Sequence, residues 1–176
     1  MVVAAIVAGE ASRTRVPDPA RDPASAASHP FQTQEDTTMT HGARETHHRA
    51  LVQAKFDAWR AGEGSPFDLL TDDASWTIVG LSDVSGTYPT RQAFLTKVIG
   101  PFNARMREGL RPRIRSLHAD GDTVVIFFDA AGVAKDGMPY ANTYAWFFEL
   151  RDGQVVRASA FFDSLAFNEL WRRVQP

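Results

Sequence analysis

The sequence predicts an α+β fold in which N-terminal helices precede a meander of four antiparallel strands. Apolar residues within 46–62 recur at helical spacing, whereas from Leu110 onward the apolar period changes to two. Three Asp-Gly pairs, at residues 120–121, 136–137 and 152–153, separate the alternating runs. Such pairs favour tight hairpin turns, because both central residues of a type I′ turn need a positive φ. We therefore expect a curved antiparallel sheet wrapped on N-terminal helices.

The predicted elements follow one another along residues 45–176, which we assign to the folded domain. The predicted helices span Thr46–Gly62, a short turn opened by a capping box at 65–68, and a segment that begins after Thr90 and is interrupted at Gly100-Pro101. A single strand is predicted over Ala74–Val79. The meander strands are predicted over Arg113–Ala119, Thr123–Ala134, Tyr140–Arg151 and Gln154–Asp163, and a last helix, Leu165–Arg173, begins after Ser164.

The first 44 residues differ in composition from the rest of the chain. All but one of the twelve Phe, all four Trp and all three Tyr lie after residue 50, while the start is rich in Ala, Pro, Ser and Thr. Such a segment buries too little apolar surface to offset its ordering entropy, so we expect a disordered tail. Met39 is an alternative start of the protein. The apolar residues 1–9 lack the basic residues that begin a signal peptide.

Composition excludes several classes of protein. A net charge of −2 gives no basic excess for binding nucleic acid. No apolar stretch reaches the roughly 20 residues of a membrane span, so we expect no membrane partner. The chain has no Cys, which excludes disulfides and thiolate metal sites and is compatible with the cytoplasm, the location that we expect. No phosphate-binding loop or metal-ligand triad is visible, and the adjacent His47 and His48 diverge on a helix, so we expect neither cofactor nor metal.

The turns predict which side chains share a face of the sheet. If 136–137 and 152–153 are two-residue loops, the strand of Tyr144 is central. Asp129 on one neighbouring strand and Phe161 on the other then both lie opposite Tyr144. One face then mixes aromatic and polar side chains: Phe127, Asp129, Asn142, Tyr144, Trp146, Ser159, Phe161 and Asp163. The inference assumes that neither hairpin has a bulge or a third loop residue, since a slip of one residue swaps the faces.

That mixed face predicts a small-molecule pocket, because aromatic walls with a few convergent polar groups are typical of ligand sites. The helices that carry Phe56, Trp59, Phe94 and Phe102 are its expected cover. We expect a small apolar ligand, bound by Trp59, Trp76, Phe94, Phe127, Asn142, Trp146 and Phe161.

The end of the chain resembles a known family. The sequence LRDGQVVR at residues 150–157, followed by FFD at 161–163 and a helix, is similar to the nuclear transport factor 2-like superfamily, in its SnoaL-like and ketosteroid-isomerase-related branches. The resemblance covers residues 46–173. It implies a cone-shaped α+β barrel with a deep hydrophobic pocket, usually as a homodimer.

The resemblance extends in part to limonene epoxide hydrolases. Asp129 and Asp163 match the two acids that flank an Arg in those enzymes, but Phe127 occupies the Arg position. Trp76 and Ile78 stand where the hydrolases carry a water-holding Tyr and Asn. Two carboxylates without their Arg argue against hydrolase chemistry.

Acid/base chemistry without a cofactor is the predicted activity: isomerisation, cyclisation or hydration of an apolar carbonyl compound. If neighbouring aromatic rings desolvate Asp129, its pKa is raised and it becomes a candidate base. Tyr144 is the candidate donor to a developing oxyanion. Asp163, kept neutral, is a second donor, a device that the ketosteroid-isomerase pattern uses.

Other readings of these residues stay open. Asp163 is equally suited to cap the last helix, and Asp129 to a structural ion pair. The protein is alternatively a non-catalytic ligand-binding module, or a protein-interaction scaffold with an obstructed pocket. The basic residues between Arg105 and Arg115 form a solvated face or, less simply, capture an anionic ligand.

A homodimer is expected through the opposite sheet face. That face is predicted to carry Val124, Ile126, Phe128, Ala145, Phe147, Ala158, Ala160 and Phe162. If the helices cover the mixed face, nothing else in the chain covers this apolar one, and exposed apolar patches of that size are rare in monomers.

Overall fold

The computed structural model describes residues 40–176. The predicted tail and the alternative start at Met39 lie outside the described residues except for 40–44, of which 41–44 are helical. No helix in the described part of the chain has the length and apolar character needed to span a membrane.

The helices form where the sequence places them, with shifted ends. Helix α1 spans His41–Ala61 and stops at Gly62, which adopts the left-handed conformation. A 3₁₀ turn, Pro66–Leu69, begins at the predicted capping box: Ser65 Oγ accepts from the amide of Phe67, and Asp68 accepts from the amide of Ser65. The third predicted helix is three joined segments, which are α2 (Arg91–Phe94), a π-helical turn (Leu95–Ile99) and α3 (Gly100–Asn103). The last helix, α4, spans Ser164–Arg173.

Within residues 40–176, six strands form one sheet. They are β1 (Leu70–Ile78), β2 (Gly86–Tyr88), β3 (Met106–Asp120), β4 (Thr123–Ala134), β5 (Pro139–Arg151) and β6 (Gln154–Phe162). Their order is β2-β1-β6-β5-β4-β3, with β1 parallel to β6 and all other pairs antiparallel. The four-stranded meander β3–β6 is as predicted, whereas the short strand β2 was not anticipated. This is the α+β fold with N-terminal helices that the sequence predicts.

The predicted register is wrong by one residue on both sides of β5. The β4–β5 loop has three residues, 135–137, because the amide of Ala134 donates to the carbonyl of Met138; only Gly137 there has a positive φ. The turn at 152–153 is the expected one, with both residues at positive φ. Beyond it, however, the pairing shifts between Glu149 and Leu150, the mark of a β-bulge.

The two slips separate residues that were predicted to share a face. Asp129 pairs with Thr143 rather than Tyr144, and Trp146 pairs with Ala160 rather than Ser159. We call the helix-covered side the inner face; it carries Ile126, Phe128, Tyr144, Trp146 and Ala160, all buried. The outer face carries Phe127, Asp129, Ala145, Phe147 and Phe161. The face that was predicted to form the dimer is therefore mostly the inner face. Of its eight residues, Ala145 and Phe147 lie on the outer face.

Candidate functional site

A cavity of about 400 Å³ lies between the inner face and the helices. Its volume is within the range of ligand pockets, 300–1,000 Å³. Five of the predicted site residues line it: Trp59 from α1, Trp76 from β1, Phe94 from α2, and Tyr144 and Trp146 from β5. The cavity is open rather than obstructed, as a ligand site requires.

Aromatic rings fix the shape of the wall. Trp76 and Phe94 stack at 4.3 Å between ring centroids and 8° between planes. Trp59 lies parallel to Trp146 at 6.1 Å, with 9° between the planes. Trp76 meets Trp146 edge-on, at 5.1 Å and 87°. Because each ring is held by its neighbours, the wall presents flat, preformed apolar surfaces, which suit a ligand with rings of its own.

Tyr144 joins the wall to a buried chain of hydrogen bonds. Its hydroxyl lies 3.2 Å from the hydroxyl of Tyr140, which accepts from Nδ2 of Asn142 at 2.9 Å. Nδ2 also donates to the carbonyl of Asp163 at 3.0 Å, and Oδ1 accepts from the amide of Asp163 at 3.0 Å. Since a backbone amide only donates, these two bonds fix which end of the Asn142 side chain is oxygen.

The fixed amide is compatible with a chain of hydrogen bonds that runs from Asn142 through Tyr140 to Tyr144. With its oxygen accepting from Asn142, Tyr140 can donate its own proton to the oxygen of Tyr144. In that arrangement Tyr140 does not use the Tyr144 proton, and the described residues offer the Tyr144 hydroxyl no other partner. Burial raises the pKa of Tyr144 well above the ordinary phenol value, and the neighbouring Tyr140 adds to the shift. The phenol therefore stays protonated at neutral pH and keeps a proton that it can donate.

Asp129, the predicted base, lies on the outer face in an ion-pair cluster. Its Oδ2 accepts from Arg115 Nε at 2.8 Å and Arg113 Nη2 at 3.1 Å, and its Oδ1 from Thr143 Oγ1 at 2.8 Å. These hydrogen bonds, that from Arg115 foremost, lower the pKa of Asp129. The expected raised pKa is thus wrong, because the register slip moves the carboxylate from an apolar interior to a pair of guanidinium groups.

The other predicted residues fall in different places. Asp163 is the N-cap of α4, where its side chain accepts from the amides of Leu165 and Ala166. Phe127 and Phe161 are on the outer face, 38% and 44% exposed. Asn142 donates a hydrogen bond to the Tyr140 hydroxyl and does not line the cavity.

Several wall residues were not predicted. Phe67, Val98, Phe102 and Phe162 also line the cavity, and so does Arg111. Phe102 was expected on a covering helix, and Val98 could have been found from its helical spacing with Phe94 and Phe102. Phe162 could not, because its face depends on the bulge in β6.

One group of side chains in the described residues has the composition of a metal site. His41, Glu45 and Asp120 bring one ligand atom each within 4.8 Å of one another near the start of α1. The Glu45 carboxylate already has two partners without a metal ion. It pairs with His41 at 3.0 Å and accepts from the amide of Gly121 at 3.1 Å. We assign no metal to this surface group.

Comparison with known proteins places the chain in a family. The sequence pattern of the SnoaL-like domain matches residues 44–158. The chain belongs to the SnoaL-like family. It is thus a member of the nuclear transport factor 2-like superfamily, as the end of the chain suggests. Among curated proteins no significant match is found.

Solved structures share the SnoaL-like fold. Bal32a, from a soil-derived mobile gene cassette, is 20% identical with a TM-score of 0.62, over 73% of this chain and 99% of its own. TerC, co-crystallized with polyporic acid, is 20% identical with a TM-score of 0.57, over 72% and 98%. A Jannaschia sp. CCS1 protein, provisionally named a SnoaL-like polyketide cyclase, is 22% identical with a TM-score of 0.56, over 75% and 96%. This SnoaL-like protein therefore combines a shared fold with a cavity of small-molecule size.

Proposed function

We propose that this SnoaL-like protein binds a mostly apolar, ring-containing molecule that carries a carbonyl oxygen, and that Tyr144 donates a hydrogen bond to that oxygen. The observation that carries the proposal is the hydrogen-bonded chain from Asn142 through Tyr140 to Tyr144, which is a residue of the aromatic cavity wall. A ligand carbonyl at Tyr144 selects the arrangement in which every hydroxyl of the chain both accepts and donates.

Binding is the better-supported role, because the cavity wall formed by residues 40–176 contains no Asp, Glu or His. The carboxylates proposed from the sequence have other partners: Asp129 has two Arg side chains and Asp163 has a helix N-terminus. We therefore give neither a part in this proposal. A hydrogen bond among apolar walls is nevertheless stronger than in water, so it would fix the orientation of the ligand.

Catalysis is the second candidate, favoured by the same phenol. A protonated donor beside a carbonyl stabilises negative charge as it develops on oxygen, which is the help that an isomerisation or cyclisation needs. The base would then come from the ligand or a water molecule. This candidate differs from binding in one observable: turnover of a carbonyl compound that falls when Tyr144 is replaced by Phe.

Two naphthalene probes test the binding role. Prodan is a naphthalene with a propionyl ketone, whereas N-phenylnaphthylamine has no carbonyl group. We expect Tyr144→Phe to weaken prodan by about fivefold, the value of one neutral hydrogen bond, and to leave N-phenylnaphthylamine unchanged. Tyr88→Phe is the matched control, since Tyr88 donates to the carbonyl of Val84 and does not line the cavity. Equal prodan affinity in the wild type and in Tyr144→Phe overturns the role of Tyr144.

A further inference from the structure

Five Arg side chains between residues 105 and 115 form the basic run of the sequence, and the structure gives them different surroundings. Arg105 is buried, donates to the carbonyls of Trp171 and Pro101, and lies 3.9 Å from the Trp171 ring centroid. Arg113 and Arg115 bind Asp129 on the outer face. Arg107 lies 3.7 Å from Glu108. Arg111 differs from these four because it lines the cavity, and like Arg105 it has no carboxylate partner among the described residues.

Arg111 stands at the mouth. The exposed residues of the cavity wall are Gly62, Gly64, Asn103, Gly109 and Arg111, so this is the side that opens to solvent. In the wall that residues 40–176 provide, Arg111 is the one charged side chain. The remainder of the wall is mainly aromatic and aliphatic, with Ser65, Asn103 and the Tyr144 phenol as its other polar side chains.

The end of helix α1 holds the guanidinium in place. Nη1 of Arg111 donates to the carbonyls of Arg60, at 3.2 Å, and Trp59, at 3.4 Å. These carbonyls carry the partial negative charge of a helix C-terminus, which favours a cation there. The guanidinium also fills the space beside Gly62: a Cβ on that residue would lie 2.4 Å from Nη1. Both contacts restrict the side chain at the mouth.

Most of the donor capacity of Arg111 is still free for a ligand. A guanidinium has five N–H donors, and the contacts within the described residues use Nη1 alone. Its fork geometry matches the two oxygens of a carboxylate or sulfonate. The cavity thus offers flat apolar surfaces inside and a preorganised anion donor at the entrance.

We propose that the ligand is an aromatic anion whose rings occupy the cavity and whose acidic group binds Arg111 at the mouth. This proposal rests on the proposed function, since it adds the charge of the ligand to a site assumed to bind an apolar molecule. It also assigns a role to the basic run that composition alone left open: of its five Arg side chains, Arg111 takes part in ligand capture.

A matched pair of probes separates this proposal from the one on which it rests. Anilinonaphthalene sulfonate is N-phenylnaphthylamine with one added sulfonate, so the two differ in the anionic group. We expect the wild type to prefer the sulfonate probe, and Arg111→Gln to weaken that probe at least tenfold while N-phenylnaphthylamine keeps its affinity. The tenfold expectation follows from the strength of hydrogen bonds to charged groups.

Arg113→Gln is the control, because it removes the same charge two residues along the strand at a side chain outside the cavity wall. It should leave both probes within about twofold of the wild type. Arg111→Lys keeps the charge and should retain part of the preference for the sulfonate. Added salt should weaken the sulfonate probe in the wild type more than in Arg111→Gln.

The outcomes distinguish the two failures. If N-phenylnaphthylamine binds but Arg111→Gln leaves the sulfonate probe unaffected, or if Arg113→Gln weakens it equally, the anionic ligand is wrong and the apolar cavity stands. If neither probe binds the wild type, both proposals are wrong. Loss of both probes in Arg111→Gln alone also contradicts the proposal, since a disturbed mouth and not a missing charge would explain it.

Discussion

Asn142 binds the backbone of Asp163 at both of its polar groups, with the side-chain oxygen accepting from the amide and Nδ2 donating to the carbonyl, each at 3.0 Å. This pair of bonds connects β5 to the chain as it leaves β6 and enters α4. It also fixes the side-chain amide that begins the donor chain to Tyr144. One buried Asn thus connects the sheet, the last helix and the cavity.

Replacing Asn142 by Leu should lower the free energy of unfolding by at least about 2 kcal/mol, because the Tyr140 hydroxyl and the Asp163 backbone lose buried partners. Urea denaturation measures the change. Asn103→Leu is the control: Asn103 is exposed and should change stability by less than about 0.5 kcal/mol. Equal effects of the two variants would show that the network at Asn142 adds no stability.

The tyrosines should resist ionisation. Burial raises the pKa of Tyr88, Tyr140 and Tyr144, which are all the Tyr of the chain. At pH 10 an ordinary phenol is about half ionised, so the folded protein should show much less tyrosinate absorbance near 295 nm than the urea-unfolded chain. Because burial disfavours the phenolate, the free energy of unfolding should show no effect of these groups well below pH 10 and should fall as the pH rises above it. Half-ionisation of folded protein at pH 10 would contradict the burial of these hydroxyls.

Asp129→Asn should destabilise the protein at pH 7, because the variant loses the charge that binds Arg113 and Arg115. The pKa of Asp129 is lowered in the folded state, so the contribution is present above the unfolded value of about 3.9 and disappears as the pH falls through the lower folded value. The stability difference between wild type and variant should follow that course in acid unfolding. A variant more stable at pH 7, as expected for a strained buried acid, would overturn this structural role.

We propose that a second copy of the chain covers the outer face. Phe127, Phe147 and Phe161 are 38–44% exposed there, and the carboxylates around them are already paired, Asp129 with Arg113 and Arg115, and Glu149 with Arg157. Two such faces can meet without an unpaired carboxylate, and two-fold symmetry is the simplest closed arrangement. Phe147→Glu should therefore give a monomer or an aggregate in sedimentation at micromolar concentration. A monomeric wild type would contradict the dimer.

The sequence predicts the fold class because helical spacing, alternation and Asp-Gly turns are local features. It places Trp59, Trp76, Phe94, Tyr144 and Trp146 correctly in one wall, since three lie on elements predicted from their own periodicity and two on the central strand. The neighbouring strands could not be placed. A third loop residue at Lys135 and a bulge at Val156 each move a strand by one residue, and a shift of one residue reverses the face of every side chain.

The same shifts of register explain why some predicted residues do not line the cavity. Asp129, Phe127 and Phe161 all lie on the two displaced strands, and each moves to the outer face. Arg111 was seen in the sequence only as one of five basic residues. Its place at the mouth depends on the end of α1, more than 50 residues earlier in the chain, which no local pattern indicates.

The most direct test of whether the cavity is the ligand site is a titration with N-phenylnaphthylamine. It compares two variants that each add one aromatic ring to the sheet. Ala160→Phe fills the inner wall, and Ala141→Phe adds the same ring on the exposed outer side of β5. Circular dichroism confirms that both are folded. We expect Ala160→Phe to weaken the probe at least tenfold and Ala141→Phe to bind it as the wild type does. Unchanged binding in Ala160→Phe, or a loss in Ala141→Phe alone, would contradict a ligand site inside the cavity.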